Sequence, residues 1–344
     1  MKRRPVLLAL AVALAGCGEP RYLLRAGWSE ARLLLRRQPI PTLLARADLE
    51  PGLRERLELT LAVRDFAAAT LGLRVGRSYT TFAEVPSDAT VYVVSAAHRD
   101  RLESYAWRYP LVGRLPYRGF FERESAEAAA RDLAARELDV EVRPALAFST
   151  LGWFADPLLS TAAGEAPVAV AEMVLHELWH ATLFVPGAAA FNESAATFAG
   201  HRGAVAFFCA GAPVDPRRCD EARRRWQRTR ERGRVLGHLA ARLRRLYASA
   251  PSPAVRERSR TRLARAAAGA LARRGLGDPY ALLPPNNARL LGDLIYLTRL
   301  DAFDALARTD DDLGPALAAV ADAARGAREP FAVLEVLARK AEGR

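Results

Sequence analysis

Cysteine is scarce in this chain, with three in 344 residues. So few exclude a small domain stapled by a disulfide framework. None of the three sits in a C-x-x-C pair or near a histidine, which argues against a cysteine-bound metal. Histidine is nearly as rare, with five. The chain also lacks internal repeats and a long linker that would mark a domain boundary. No nucleic-acid signature accompanies its arginines, which are spread along the sequence. The net charge of +12 therefore does not read as a nucleic-acid footprint. What is there looks globular: 51% of residues are hydrophobic and 26% charged. The length fits one large domain or two smaller ones.

The N-terminus has its own pattern. Lys2-Arg3-Arg4 precedes the apolar run Pro5 to Ala15, which is too short to span a bilayer comfortably. Leu14-Ala15-Gly16-Cys17 closes it and resembles a bacterial lipobox. That likeness implies cleavage of residues 1–16, lipid on Cys17, and a net charge reduced from +12 to +9. Gly18, rather than Asp, after the cysteine points to the outer membrane, with the protein facing the periplasm. No transmembrane helix is expected in the mature chain. In such an oxidising compartment Cys209 and Cys219 either pair across the turn-rich AGAPVDPRR segment or stay as two free thiols. A bond there would be worth roughly 2–3 kcal/mol.

Two of the five histidines fall in one motif, His176-Glu177-Leu178-Trp179-His180. On a helix, residues i and i+4 share a face, so both imidazoles can meet one metal ion. Glu177 then stands where the general base for a zinc-bound water belongs. Val168, Val170, Met173, Val174, Leu178 and Phe184 should bury this helix. Two imidazoles and a carboxylate buried without partners would be costly, and a metal resolves that cost.

Around the motif the spacing predicts an α+β protein: a small mixed sheet, active-site helices, and a mostly helical C-terminal part. Residues 21–75 read as helices broken at Pro39, Pro41 and Pro51-Gly52. Strands are expected at 90–94, 115–121, 139–143 and 145–151, with a helix at 125–138. The motif helix should run from Val168 to Phe184. A second helix should run from Glu193 to about Ala210, with Asn192 as its N-cap. Beyond Pro216 all reads as helix, and the charged run Arg223 to Arg234 as a solvated helix face. The chain divides into residues 17–165, a helical and α/β region; 166–210, the metal-binding helices; and 211–344, a helical region.

A catalytic zinc needs a third protein ligand and an open position. Glu193, in Phe191-Asn192-Glu193-Ser194, is the first acid after His180 and opens the next helix. Antiparallel packing would bring it to the histidines, giving a His2Glu, thermolysin-type set for one zinc per chain. His201 competes, but lies two turns further along.

These segments together resemble a known group. RDFA at 64–67, YRGFF at 117–121, FSTLGWFADPLLST at 148–161, HELWH at 176–180, FNESAATF at 191–198 and NNARL at 286–290, followed by Tyr296, are similar to the zincin-like, gluzincin-type aminopeptidase family of bacterial lipoproteins. Trp179 stands where the family has a small residue, Ala181 where it has Gln, and Gly187 to Ala190 replaces a polar stretch; these changes leave the ligands and base intact but could alter the pocket. The resemblance implies peptide-bond hydrolysis, with peptides as substrate. Tyr296 is the candidate oxyanion donor, or else a packed core tyrosine. The stretch Phe148 to Trp153 is a candidate for holding substrate by strand addition. Asp156 could bind a free α-amine or be a plain turn residue. The amine-recognition motif G-x-M-E-N is absent. Aminopeptidase therefore rests on the resemblance, and metallopeptidase on the residues. The alternative reading is a catalytically silent, lipid-anchored envelope scaffold that retains the fold.

Overall fold

A computed structural model of the chain describes residues 36–85, 90–109, 113–120, 122–146, 156–210, 215–277, 286–307, 309 and 312–343. In chain order the elements are β1 Gln38–Pro39, α1 Ile40–Leu44, α2 Pro51–Ala69, β2 Thr81–Ala83, β3 Thr90–His98, β4 Trp107–Tyr109, β5 Gly113–Leu115, β6 Tyr117–Phe120, α3 Arg123–Ala135, β7 Leu138–Leu146, β8 Leu158–Leu159 and α4 Ser160–Ala163. Then come α5 Pro167–Thr182, α6 Ala189–Ala210, α7 Pro216–Ala248, α8 Pro253–Arg273, α9 Asn287–Leu297, α10 Leu300–Asp304, α11 Leu313–Ala324 and α12 Pro330–Glu342. This is a mixed α and β fold with small sheets and a mostly helical C-terminal region. No helix among the described residues is long and apolar enough to cross a membrane. The expected lipid-bearing Cys17 and the substrate-side Trp153 lie outside the described residues.

The central sheet is antiparallel, in the order β6-β3-β7. Its β-branched strand β3 pairs along its whole length with β7, from Thr90 opposite Leu146 to His98 opposite Leu138. Side chains alternate between the two faces. One face presents Val94, Ala96 and Phe120 to Ala126 and Leu133 of α3, forming a small apolar core. The other carries Ser95, with Glu141 and Tyr117 opposite it, and Arg143 opposite Val93. This polar face receives α9. A smaller sheet, β1-β2-β8, holds one antiparallel and one parallel pair.

α5 is sunk in the main hydrophobic cluster, which draws residues from Ile40 to Leu334 and so from all three segments of the chain. Val168, Val170, Val174 and Leu178 are buried. Its neighbour is α6, and the approach is very close. A Cβ on Gly200 would stand 2.6 Å from the Glu172 carbonyl oxygen and 3.2 Å from the His176 Cβ. One on Gly203 would meet Leu175 Cδ1 at 2.8 Å. Glycine at these two positions lets the backbones nest.

Several expectations are corrected. Strands at 139–143 and 145–151 are one strand through Leu146, with 147–151 outside the described residues. β7 lies at the sheet edge, where Pro144 and its missing N–H are tolerated. The strand at 115–121 divides into β5 and β6. α5 stops at Thr182, because Leu183 turns to an extended conformation, and Phe184 points to solvent at 65% exposure. α6 starts at Ala189, three residues before Asn192. Asn192 is not a cap: its side chain accepts from Val185 N and donates to Val185 O, both at 2.9 Å, which folds the α5–α6 connection. Trp179 is 1% exposed and packs in the core, so this departure from the family pattern does not line a pocket. Cys209 and Cys219 are joined in a disulfide that ties the end of α6 to the first turn of α7.

The close helix contact gives a direct test. Gly200→Ala should lower stability by about 1–3 kcal/mol through overpacking. Gly237→Ala in α7, where an added Cβ meets nothing within 4 Å, should be neutral or mildly stabilising. Thermal unfolding of the two variants side by side checks both.

Candidate metal centre

His176 and His180 lie one turn apart on α5, and Glu193 lies in the second turn of α6. The nested helices bring the three together. His176 Nε2 is 3.2 Å from His180 Nε2. Glu193 Oε2 is 3.3 Å from His176 Nε2 and 3.5 Å from His180 Nε2. One ligand atom from each residue lies within 4.8 Å of the others, and all three side chains are half-buried. Burial alone would push the Glu193 carboxyl up. Hydrogen bonds with His176 and His180, and the charges of both, outweigh it and hold the group at about 2. Burial likewise works against the charge on His180, but the bond to and charge of Glu193, with Glu177 adding, raise it above its ordinary value. Two imidazole nitrogens and an ionised carboxylate converging at these distances fit a divalent cation such as zinc. Among the described residues no further His, Cys, Asp or Glu joins the cluster.

His201 is not part of it. Its Nδ1 meets Glu172 Oε1 at 2.7 Å, and its Nε2 lies 3.3 Å from Thr229 Oγ1. Arg225 grips both oxygens of the same Glu172 at 2.6–3.0 Å. Burial raises the Glu172 carboxyl, but His201 and then Arg225 bring it below its ordinary value. This salt-bridged unit lies one turn before His176.

Glu177 is half-buried, adjoins His176 on α5, and lies near enough for its charge to act on His180, Tyr296 and Tyr79. The Tyr296 ring centroid is 6.3 Å from that of His176, and the residue keeps 41% of its surface open. It is therefore not a core tyrosine. Burial of its hydroxyl, then the charges of Glu193 and Glu177, push it up to about 12.

α9 holds Tyr296 in place from both ends. At the start, Asn286 caps the helix by accepting from Arg289 N at 2.7 Å and donates to Val140 O at 3.0 Å. The buried Asn287 accepts from the Tyr247 hydroxyl of α7 at 3.0 Å. It donates its side-chain amide to His98 O at 2.7 Å and its backbone N–H to Asp139 Oδ2 at 2.8 Å. NNARL is thus a clamp between α9 and the β3–β7 sheet. At the far end Ser194, next to Glu193, donates to Ile295 O at 2.9 Å and accepts from Thr298 N at 3.0 Å.

The other wall contains a residue that sequence reasoning missed. Tyr79 is buried, takes a left-handed backbone with φ of 59°, and points its hydroxyl at Met173 Sδ, 3.7 Å away and one turn before Glu177. Such a conformation in a bulky residue costs about 1–3 kcal/mol and persists only where its surroundings enforce it. Arg64, from RDFA, donates to Ser78 O at 3.1 Å and to Gly76 O at 2.6 Å. Asp156 O accepts from Tyr79 N at 2.7 Å. Burial, then Glu177 and Asp156, raise the Tyr79 phenol well above its ordinary value. Asp156 is half-buried, and its backbone is committed to this turn. No local pattern announces a left-handed tyrosine.

A family model described as "Putative aminopeptidase" matches residues 21–329. The chain belongs to this family. No curated protein and no solved structure matches it. The stretch shared with the aminopeptidase family takes in His176, His180, Glu193 and Tyr296, together with Arg64 and the Asn286–Asn287 clamp that position them.

Asp293, one turn before Tyr296, has a pH signature. Its Oδ2 is buried and has no partner among the described residues, while Oδ1 lies 3.2 Å from Arg143 Nη2. Burial raises its carboxyl from 3.8 to about 6, with Arg143 opposing. The folded state therefore holds this proton more tightly than the unfolded chain. Its contribution to stability is fully present below about pH 4 and is lost as pH rises through about 6. Asp293→Asn should flatten that part of the profile and melt higher than the parent at pH 7.5. Melting temperatures from pH 4 to 7.5 read both.

Proposed function

We propose that this chain is a zinc-dependent peptidase of the gluzincin type, binding one ion per chain and removing residues from peptide N-termini at the bacterial cell envelope. The observation that carries the reading is the His176–His180–Glu193 cluster, with Glu177 beside His176 in the chain and the Tyr296 ring 6.3 Å from that of His176. A zinc ion held there would supply Lewis acidity, polarising the scissile carbonyl and acidifying a bound water. Glu177 takes a proton from the attacking water and passes it to the leaving amine. Tyr296 presents a phenol that keeps its proton and can donate to the oxyanion developing on the carbonyl. Glu193 completes the ligand set as an anion, and its two histidine bonds hold it ready. Asp156 is the proposed anchor for a free α-amine, and the stretch Phe148 to Trp153 the proposed edge for the peptide backbone.

Aminopeptidase, rather than endopeptidase, follows from the family. Placement at the outer membrane, facing the periplasm, follows from LAGC at 14–17 and lipid on Cys17. The disulfide supports an oxidising compartment.

Mass-spectrometric profiling of a peptide library with the zinc-loaded protein tests the reading, and single residues should leave the N-terminus. Glu177→Gln should keep zinc and lose roughly 10²–10⁴-fold in kcat. Glu193→Ala should lose zinc as well as activity. Tyr296→Phe should lower kcat by roughly 10²–10³-fold with little change in KM. Zinc retained with no peptide cleaved would instead support the envelope-scaffold reading.

A further inference from the structure

The chain's charge is not spread evenly once acids are counted with the arginines. Residues 222–275, which make up most of α7 and all of α8, hold seventeen arginines against two acids, Glu231 and Glu257. That local charge of +15 exceeds the +12 of the whole chain, so the remainder is slightly acidic. Arginines occur throughout the chain, but the acids that offset them elsewhere are nearly absent from this stretch.

The structure sorts these arginines into two sets. One set is spent internally. Arg225 binds Glu172, Arg230 and Arg234 bind Asp301, and Arg260 binds the buried Asp139. The other set faces outward. The hairpin packs through Leu236, Leu239, Leu243, Ala267 and Leu271, and this contact turns the opposite side of α8 to solvent. Arg258, Arg262 and Arg265, at i, i+4 and i+7, form an exposed stripe that Arg273 extends. They border a shallow depression with Thr261 and Glu257. Glu257 is already paired with the inner Arg260 at 3.1 Å and does not cancel the stripe. Arg242 and Arg245 at the end of α7 are exposed as well. None of these six has a partner among the described residues.

We propose that the solvent face of the α7–α8 hairpin is a docking surface for an anionic phospholipid membrane. Three observations select this occupant. The face is a broad array of guanidinium groups with His238 as an exposed ring but no exposed Phe, Tyr or Trp among its described residues, so it suits phosphate headgroups and offers little platform for base stacking. The Cys209–Cys219 disulfide belongs to an oxidising compartment, away from nucleic acid. Exposed Val255 at the start of the stripe adds an apolar contact at headgroup depth. Beside a lipid tether at Cys17, such a face would fix how the protein lies on the surface, while the tether fixes only its distance.

The test uses the full chain carrying Cys17→Ser, so that no acyl chain contributes. It is compared with the same chain carrying Arg258→Gln, Arg262→Gln and Arg265→Gln, and with the corresponding triple lysine variant. Each is co-sedimented with phosphatidylcholine vesicles, with and without phosphatidylglycerol. The parent should prefer the anionic vesicles, and raised salt should weaken that preference. The glutamine triple should lose at least about tenfold of it, and the lysine triple should retain most of it. Metal content should be the same in all three. A glutamine triple that sediments like the parent overturns the proposal, as does an oligonucleotide that displaces the parent from vesicles at equal phosphate concentration. If the triple melts lower than the parent, Arg258→Gln and Arg262→Gln measured singly carry the comparison, and no loss in either also overturns it.

Discussion

The nesting of α5 against α6 is the contact on which the rest of the structure depends. Three candidate ligands come from two helices, and their atoms can converge only if the backbones approach within the reach of short side chains. Gly200 and Gly203 permit that approach. The Asn192 side chain sets the turn between the helices by bonding Val185 in both directions. Beneath the cluster, the Glu172–His201–Arg225 unit neutralises a buried carboxylate where the helices cross. Each of these features serves the separation of two helix axes, and the convergence of His176, His180 and Glu193 is the result.

The small sheets serve the site indirectly. β3 and β7 contribute no ligand. Their polar face and the His98 carbonyl receive Asn286 and Asn287, which orient α9 and therefore Tyr296. The buried Asp139 joins this anchor to α8 through Arg260, so the arginine-rich hairpin is bound to the same frame. On the opposite wall α2 reaches across with Arg64 to impose the turn at Tyr79. Distant parts of the chain thus meet at one place through backbone carbonyls and a few buried polar side chains.

Much of this was legible in the sequence, for identifiable reasons. HELWH is a local pattern whose spacing equals a helical turn, so both histidines and Glu177 could be placed without a structure. Glu193 followed because only one acid stood near in the next helix. The disulfide was one of two open outcomes, since pairing depends on whether α7 turns back toward α6. Helix ends were less legible: Asn192 has the chemistry of a cap but is used by a loop, and Phe184 continues an apolar pattern beyond the point where the backbone leaves the helix. Tyr79 was invisible because its position is enforced by long-range bonds from Arg64 and Asp156. The NNARL and RDFA stretches were visible as sequence, but their purpose is anchoring, which only the contacts reveal.

Ser194 has a consequence beyond its two hydrogen bonds. It follows Glu193 directly and grips the backbone on both sides of Tyr296, at Ile295 and Thr298. The carboxylate and the phenol are therefore mounted on a single bracket. A displacement of α6 that shifts one carries the other with it, and their spacing is set before any ligand arrives. Two groups mounted in this way need little rearrangement to act together, and adjustment of the site falls to the wall that does not share the bracket, where Tyr79 stands.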